Sequence, residues 1–519
     1  MATARAPVIS LLLRAAASAI LLYSTLPPAS FWPASFFCLA PVASVAKQSV
    51  ARAAIAGLAF GFFVHLLGFW WTVPAVVRVA HASPIVSGVA FGVYCALSAL
   101  RCAFALGAAA RCVALGSSLV VALPLSWMSA EMLFPQLLPW YLGVVVQACP
   151  VFMQPAALGG PVLVSGLVAT VNAGVVVVLA SWWSGKHREA WVRAAVLASA
   201  VASFALGGLV RMRALRERIA RSPTSEVLVV QGNLGPLDAR DREIDVHRTP
   251  TDTALRTGVR PAFVVWPETA ITRALPADDT RTTEAFFRDD VLGALKRDEV
   301  AIDVPLLTGA ILERRSARGP EVFNAAVMVA PDGRRLGTYL KQSLAPLGER
   351  ALLGGAVPPV APFTEGPRPD AIVLDEHRIG VSICFEDILY DAFARSVDAT
   401  RPELLVNLTS DAWFGDSPGA ELHLALARSR AVEHGRQLLR VTNDGVSALV
   451  EPTGEVTTRL PPHQALAARV RVRWTVDETW FRTVGDGLGW SALAIAARLL
   501  WGPLRPRARV RSRRSGRAR

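Results

Sequence analysis

Hydrophobic and polar positions divide this chain into two unlike parts. Up to about residue 210 it is a succession of Ala/Val/Leu/Phe runs, whereas 225–475 carries charges, turn signals and alternating patterns. A helix needs about 20 consecutive apolar residues to cross a bilayer. Ala157–Trp183 contains no charged residue and meets that length, and less clean runs occupy roughly 8–25, 31–46, 53–72, 85–108, 112–133, 191–210 and 484–502. The pattern predicts seven membrane spans, a polar domain and one closing span. Arg14 interrupts the first run and no small-residue cleavage site leads into a soluble sequence. That run therefore reads as an anchor, not a cleaved signal peptide.

In the polar part, short apolar runs alternate with helical stretches. The runs start at Glu226, Pro261, Pro305, Val322, Ile379, Glu403 and Leu438, and they read as buried strands of a layered α/β domain. Pro331-Asp-Gly-Arg and Pro452-Thr-Gly-Glu are turn signals that close hairpins. Ala420 to Gln437 is the best internal helix, with Leu422, Leu426 and Val432 spaced for one buried face.

Composition makes the membrane reading firm. A chain of 519 residues that is 52% hydrophobic, with mean hydropathy +0.38, is too long for one typical domain and too apolar for an ordinary soluble enzyme. The expected organisation is a transmembrane bundle over 1–210, a linker over 211–224, the polar domain over 225–475, a closing helix region over 476–504 and a basic tail over 505–519. Of the net charge of +13, eight arginines lie in 505–519, which leaves +5 on the rest. A basic tail directly after a hydrophobic span is a cytoplasmic topology signal and not a nucleic-acid site. The polar domain is then expected outside the cytoplasm, with Lys47, Arg52 and Lys186–Arg188 in cytoplasmic loops. Arg211, Arg213, Arg216, Arg218 and Arg221 run against this assignment, because it makes all five external.

Five of six cysteines (Cys38, Cys95, Cys102, Cys112 and Cys149) sit in apolar runs and read as small hydrophobic filler. Cys384 is different, since it ends a strand in the polar domain. The eight histidines show no metal-ligand spacing. Two polar outliers upstream share the local setting of Cys384: Glu268 ends the run Phe-Val-Val-Trp-Pro-Glu, and Lys341 follows a predicted hairpin. A thiol is mostly protonated at neutral pH and needs a base to attack as thiolate. Glu268 can take that proton, and Lys341 with the backbone N–H of Phe385 can stabilise an oxyanion.

The motifs Trp266-Pro-Glu-Thr-Ala, Tyr339-Leu-Lys, Pro346-Leu-Gly-Glu349 and Ile383-Cys-Phe-Glu386 occur in the order that resembles the nitrilase (carbon–nitrogen hydrolase) superfamily. The resemblance implies an α-β-β-α sandwich with Glu268, Lys341 and Cys384 as its triad. With the spans included, the chain resembles the apolipoprotein N-acyltransferases. Asn407-Leu-Thr-Ser-Asp-Ala-Trp-Phe-Gly-Asp416, Arg440-Val-Thr-Asn-Asp-Gly445, Gln231-Gly-Asn233 and Pro139-Trp-Tyr-Leu-Gly with Gln154-Pro also resemble that family. Ala345 and Leu347 depart from its Leu-Val-Pro-Phe-Gly-Glu pattern, and the stretch after Asn233 lacks its Lys-Trp.

The resemblance implies a bacterial inner-membrane enzyme without a cofactor, whose catalytic domain is periplasmic and whose tail is cytoplasmic. Its acyl donor would be a membrane phospholipid, and its acceptor the N-terminal amine of a diacylglyceryl-modified apolipoprotein. Glu349 would support the transition state, with Phe385 and Glu386 shaping the pocket. Each buried CH₂ of an acyl chain contributes about 0.8 kcal/mol to staying in the bilayer, so a thiol enzyme using lipid has reason to be fused to a membrane bundle. Leu352 and Leu353, in an unusually apolar loop, and Trp413 and Phe414 are the expected lipid access route. A membrane-tethered amidase or thioesterase, and a non-catalytic membrane scaffold, are the alternatives.

Overall fold

The computed structural model describes residues 2–79, 81–235, 242–293, 300–317, 319–351 and 359–501. Its first part is a helical bundle: α1 (Ala2–Ser24), α2 (Val50–Phe69), α3 (Thr72–Val79), α4 (Pro84–Ala114), α5 (Leu119–Leu133), α6 (Ala156–Trp183) and α7 (His187–Ile219). Among the described residues, four helices (α2, α4, α6 and α7) are long and apolar enough to cross a membrane. Val89, Val93 and Leu97 on α4 and Val192 and Val196 on α7 are exposed, as side chains facing lipid are.

Close helix packing follows from small residues. Gly57 and Gly61 lie one turn apart on α2, and a Cβ there would come within 2.3 Å of the Cys102 carbonyl oxygen and 2.7 Å of Ala99 Cα on α4. Such a pair lets two backbones approach closely. Cys102 itself is buried in this seam, the filler role expected of it.

Two expected spans differ from the prediction. The run 31–46 is not one helix but three short helical pieces, Trp32–Phe36, Ala40–Ala43 and Ser44–Lys47. Asn172, near the middle of α6, holds this broken segment. Its Oδ1 accepts from the N–H groups of Leu39 (2.8 Å) and Ala40 (3.1 Å), and its Nδ2 donates to the Ser35 carbonyl at 2.8 Å. Irregular backbone needs such partners where water is absent. The run 112–133 also divides, because Cys112–Ala114 complete α4 while α5 begins only at Leu119 and spans 15 residues. The expected linker is largely helical too: α7 continues to Ile219, and only four residues separate it from the first strand.

The polar part is built on two sheets. One contains β1 (Thr224–Gln231), β2 (Phe263–Val265), β3 (Ile271–Pro276), β4 (Leu306–Ser316), β5 (Gly319–Val329) and β6 (Arg335–Leu340). The other contains β7 (Ile372–Leu374), β8 (His377–Ile383), β9 (Leu404–Thr409), β10 (Gln437–Thr442), β11 (Ala448–Val450) and β12 (Val456–Arg459). The last strand, β13 (Leu466–Arg473), returns to the first sheet. The orders are β13-β1-β2-β4-β5-β6, with β3 beside β4, and β12-β11-β10-β9-β8-β7. The two turn signals connect antiparallel pairs, β5 with β6 and β11 with β12.

Alternation along the strands sets the layers. Val227 and Val229 on β1 point to the core between the sheets, with Val381, Ile383, Val406 and Leu408, whereas Leu228 and Val230 face the outer layer. Helix α8 (Glu243–Arg256) covers the first sheet, and α9 (Tyr390–Thr400) and α10 (Gly419–His434) cover the second. Helix α10 has two buried faces where one was expected. Leu424, Ala427 and Ala431 pack on the sheet, while Leu422 and Val432 join the core of the bundle. A final helix, α11 (Gly487–Trp501), returns along α5.

The domain is fastened to one end of the bundle. Gln154 Nε2 donates to the Thr453 carbonyl at 2.8 Å, Arg428 Nη1 to Gln147 Oε1 at 2.7 Å, and the rings of Tyr141 and Tyr390 stand 4.9 Å apart. The arginine cluster on α7 is part of the fastening. Arg211 and Arg218 reach Asp477 at 3.6 and 2.7 Å, and Arg216 reaches Glu455 at 2.5 Å. The domain's carboxylates thus pair with three of the five arginines, while Arg213 pairs with Glu217 on α7 itself.

Candidate active site

Three strand ends deliver the expected triad. Glu268 lies just past β2, Lys341 is the first residue after β6, and Cys384 the first after β8. Lys341 is 1% exposed and Glu268 7%, so their charges must be satisfied within the protein. Lys341 Nζ lies 3.2 Å from Glu268 Oε1 and 2.8 Å from Glu349 Oε2. Asn324 on β5 donates its Nδ2 to both carboxylates at 2.8 Å. The remaining oxygens are held by backbone: Ser410 N–H donates to Glu268 Oε2 at 2.9 Å, and Ala345 N–H to Glu349 Oε2 at 2.8 Å. Behind the base stands Gly309, where a Cβ would meet Thr269 N, Pro267 O and Glu268 Cα at 2.4–2.6 Å.

Cys384 has φ +49°, a left-handed conformation that a residue with a Cβ adopts only when its surroundings enforce it. Glu386 supplies the constraint. Its carboxylate accepts from Ile383 N–H (2.7 Å), Gln342 N–H (2.8 Å), Ser343 N–H (2.9 Å) and the Tyr339 hydroxyl (2.8 Å). One carboxylate thereby ties the turn at the thiol to the segment carrying Lys341. Asn407 Nδ2 adds bonds to Ser382 Oγ at 3.1 Å and to the Cys384 carbonyl at 3.4 Å.

Burial pushes the Cys384 thiol well above its ordinary range, the neighbouring Glu268 carboxylate raises it further, and Lys341 opposes both. Burial also raises Glu268; Lys341 counteracts this and Glu349 adds to it. For Lys341, burial disfavours the ammonium, but the attraction of Glu268 and Glu349 prevails and holds it charged. The resting set is a protonated thiol beside a carboxylate with raised proton affinity and a fixed cation. Such an array can deprotonate a thiol as it attacks and can balance the negative charge that develops.

Residues 230–470 match the carbon-nitrogen hydrolase family, and residues 18–174 match the apolipoprotein N-acyltransferase N-terminal domain. The apolipoprotein N-acyltransferase of Azotobacter vinelandii is 36% identical over 223 residues, 41% of this chain and 40% of that one. The apolipoprotein N-acyltransferase of Brucella suis is 30% identical over 476 residues, covering 84% of this chain and 85% of its own length. The chain belongs to the apolipoprotein N-acyltransferase family. Among solved structures, Saccharomyces cerevisiae Nit3, a member of branch 10 of the nitrilase superfamily, is similar at 15% identity with a TM-score of 0.38, over 50% of this chain and 94% of its own.

In this apolipoprotein N-acyltransferase family member, one of the residues expected along the lipid access route lies at the contact between domain and bundle. Phe414 lies against Trp71, ring centroids 4.6 Å apart, and so touches the bundle directly. Trp413 and Phe385 are half-buried. Leu352 and Leu353, like the tail 505–519, lie outside the described residues. Tyr339, Ser410, Asp411 and Arg440 fall within the quoted motifs, but sequence reasoning gave them no role, and it did not single out Asn324, Asp387 or His423. For Asn324 a signal existed: it is the one polar side chain in the strand Val322-Phe-Asn-Ala-Ala-Val-Met-Val-Ala.

Proposed function

We propose that this chain transfers a fatty acyl group from a membrane phospholipid, through a thioester on Cys384, to the N-terminal amine of a diacylglyceryl-cysteine apolipoprotein. The observation that carries this reading is the Glu268–Lys341–Glu349 array fixed by Asn324 on a domain seated on a bundle with four membrane-length helices. As Sγ attacks the ester carbonyl, Glu268 takes the thiol proton. Lys341 and the Phe385 N–H stabilise the oxyanion, with Glu349 keeping the ammonium in place. Collapse expels the lysophospholipid alkoxide, which receives the proton from Glu268. The acceptor amine then attacks the thioester and Glu268 takes its proton; the C–S bond breaks, the amide forms, and the expelled Cys384 thiolate recovers that proton from Glu268.

The reading includes about eight crossings, with the broken segment 32–47 as the second, and a catalytic domain outside the cytoplasm. Lys47, Arg52, Lys186 and Arg188 support this orientation. They flank the ends of α2, α6 and α7 remote from Trp71, Gln154 and Arg211, which touch the domain, and basic residues favour the cytoplasmic side. In the same reading Leu352, Leu353, Trp413 and Phe414 border the lipid access route. Incubation of purified protein with phospholipid followed by mass spectrometry tests the chemistry. An acyl adduct on Cys384 that moves to a lipopeptide amine and is absent in Cys384→Ala is expected. Acyl release to water would make the protein a hydrolase, and absence of any adduct would leave a scaffold.

A further inference from the structure

Behind the nucleophile turn lies a second set of buried charges that the proposed chemistry does not use. His423 on α10 sits between two carboxylates: its Nε2 is 2.9 Å from Asp387 Oδ1 and its Nδ1 2.9 Å from Asp411 Oδ1. Arg440 on β10 completes the set, with Nη2 3.0 and 3.1 Å from the two Asp411 oxygens and Nη1 bonded to Asp387 Oδ2. Arg440 Nη2 and His423 Nδ1, 2.8 Å apart, converge on the same Asp411 oxygen. Arg440 and Asp387 are fully buried, and Asp411 and His423 nearly so. An imidazolium balances the cluster, two cations against two carboxylates. Burial and Arg440 disfavour that charge, while Asp387 and Asp411 prevail and raise the His423 proton affinity.

The members of this cluster adjoin the triad in two directions. Asp387 belongs to the turn Cys384–Ile388 that begins with the nucleophile. Asp411 directly follows Ser410, whose N–H holds the base Glu268. On its other side the cluster meets the bundle. The Phe414 ring lies edge-on to His423, centroids 5.9 Å apart, and 4.6 Å from Trp71. The Arg78 guanidinium stands over Gly415, where a Cβ would come within 2.6 Å of its Nη1. The loop Asp411–Gly415 is therefore held between the charge cluster and the Trp71–Arg78 segment of the bundle.

We propose that Asp387, His423, Asp411 and Arg440 form a positioning device that sets Cys384 against Glu268, and that Phe414 on Trp71 links this alignment to seating of the domain on the bundle. The inference rests on Glu268 and Cys384 acting as base and nucleophile. None of the four is hydrogen-bonded to the Cys384 thiol or the Glu268 carboxylate, although the Arg440 charge is felt at Cys384; Asp387 and Asp411 act through the two loops that carry them. Removing one partner leaves another charge buried and unpaired, so the geometry is sharply defined only in the intact set.

The test uses the full chain in detergent micelles and reads alkylation of Cys384 by iodoacetamide at the peptide level, which needs no lipid. Single-turnover acylation from phospholipid is measured in parallel. His423→Gln is expected to slow alkylation at least tenfold, and to lower kcat of transfer with KM within twofold. Trp71→Leu, remote from the charges, is expected to slow alkylation severalfold, and Trp71→Phe to restore it. Alkylation within twofold of wild type in both His423→Gln and Trp71→Leu would overturn the proposal, as would a raised KM with unchanged kcat. Should His423→Gln fail to fold, the Trp71 pair decides alone. A wild-type protein that alkylates but never accepts an acyl group refutes the donor assignment, while the alkylation comparison still judges the positioning.

Discussion

The backbone N–H of Ser410 donates to Glu268 Oε2 at 2.9 Å across 142 residues of chain. Glu268 follows a strand of the first sheet and Ser410 a strand of the second. The candidate base is thus oriented by the sheet that carries the nucleophile, and its geometry registers how the two layers meet.

Among the described residues, Lys341 is the one cation bonded to both Glu268 and Glu349. Lys341→Met leaves two carboxylates facing one amide, and breaking a buried pair costs about 3–5 kcal/mol. A clearly lowered midpoint of thermal denaturation in detergent is expected, together with loss of the Cys384 acyl adduct by mass spectrometry. Lys341→Arg should not restore the adduct, because a planar guanidinium cannot reproduce a compact ammonium between two carboxylates.

Gly309→Ala tests whether the backbone behind the base is in direct contact. Its Cβ would lie 2.4–2.6 Å from three backbone atoms of 267–269, and relief of that overlap costs about 1–3 kcal/mol. A displaced carboxylate should slow adduct formation by about 10²-fold. Gly207→Ala, where nothing lies within 4 Å, should leave the rate unchanged, and single-turnover kinetics compare the two.

Glu386 should prove more important than any single partner it has. Glu386→Gln places an NH₂ where donors converge, releasing the turn that holds Cys384 at positive φ, and should slow acylation by about 10²-fold. Tyr339→Phe removes one of four hydrogen bonds, a loss of about 1.5–3 kcal/mol of stability for a bond to a charged group, and should leave much of the acylation rate intact. Equal rates for the two variants would contradict this.

Asp444 gives the fold a predictable pH response. Burial, with Asp411 adding to it, raises its carboxyl from an ordinary 3.8 to about 7. Between those values the folded chain keeps a proton that the unfolded chain releases. Stability therefore falls as pH rises through that window and levels off above it. Denaturation midpoints measured from pH 5 to 8 should decline in the wild type, and Asp444→Asn should flatten the decline and be the more stable protein at pH 8. Parallel curves would show that another group is responsible.

The strands were readable because Val227-Leu-Val-Val and its counterparts are apolar on both faces, as strands between two covering layers must be. The candidate triad could be picked out because a Glu, a Lys and a Cys interrupt such patterns at strand ends. Hydropathy could not tell that residues 31–46 form three pieces, because an interrupted helix and a continuous one have the same composition, and the Asn that holds the break is 132 residues away from Ala40. Long-range electrostatics were hidden for the same reason. Arg211, Arg216 and Arg218 read in sequence as an unpartnered basic run, and only the fold brings Asp477 and Glu455 beside them. His423, Asp387, Asp411 and Arg440 lie on four separate elements, and only the folded sheet brings them together.

The bonds from Leu39 and Ala40 to Asn172 carry a consequence for biogenesis. If the broken segment is the second crossing, as proposed, it is made long before α6, with amide groups that lipid cannot satisfy. It can settle only when residue 172 arrives, more than a hundred residues later. Closure of this one segment therefore depends on α6, whatever contacts α1, α2 and α4 make among themselves.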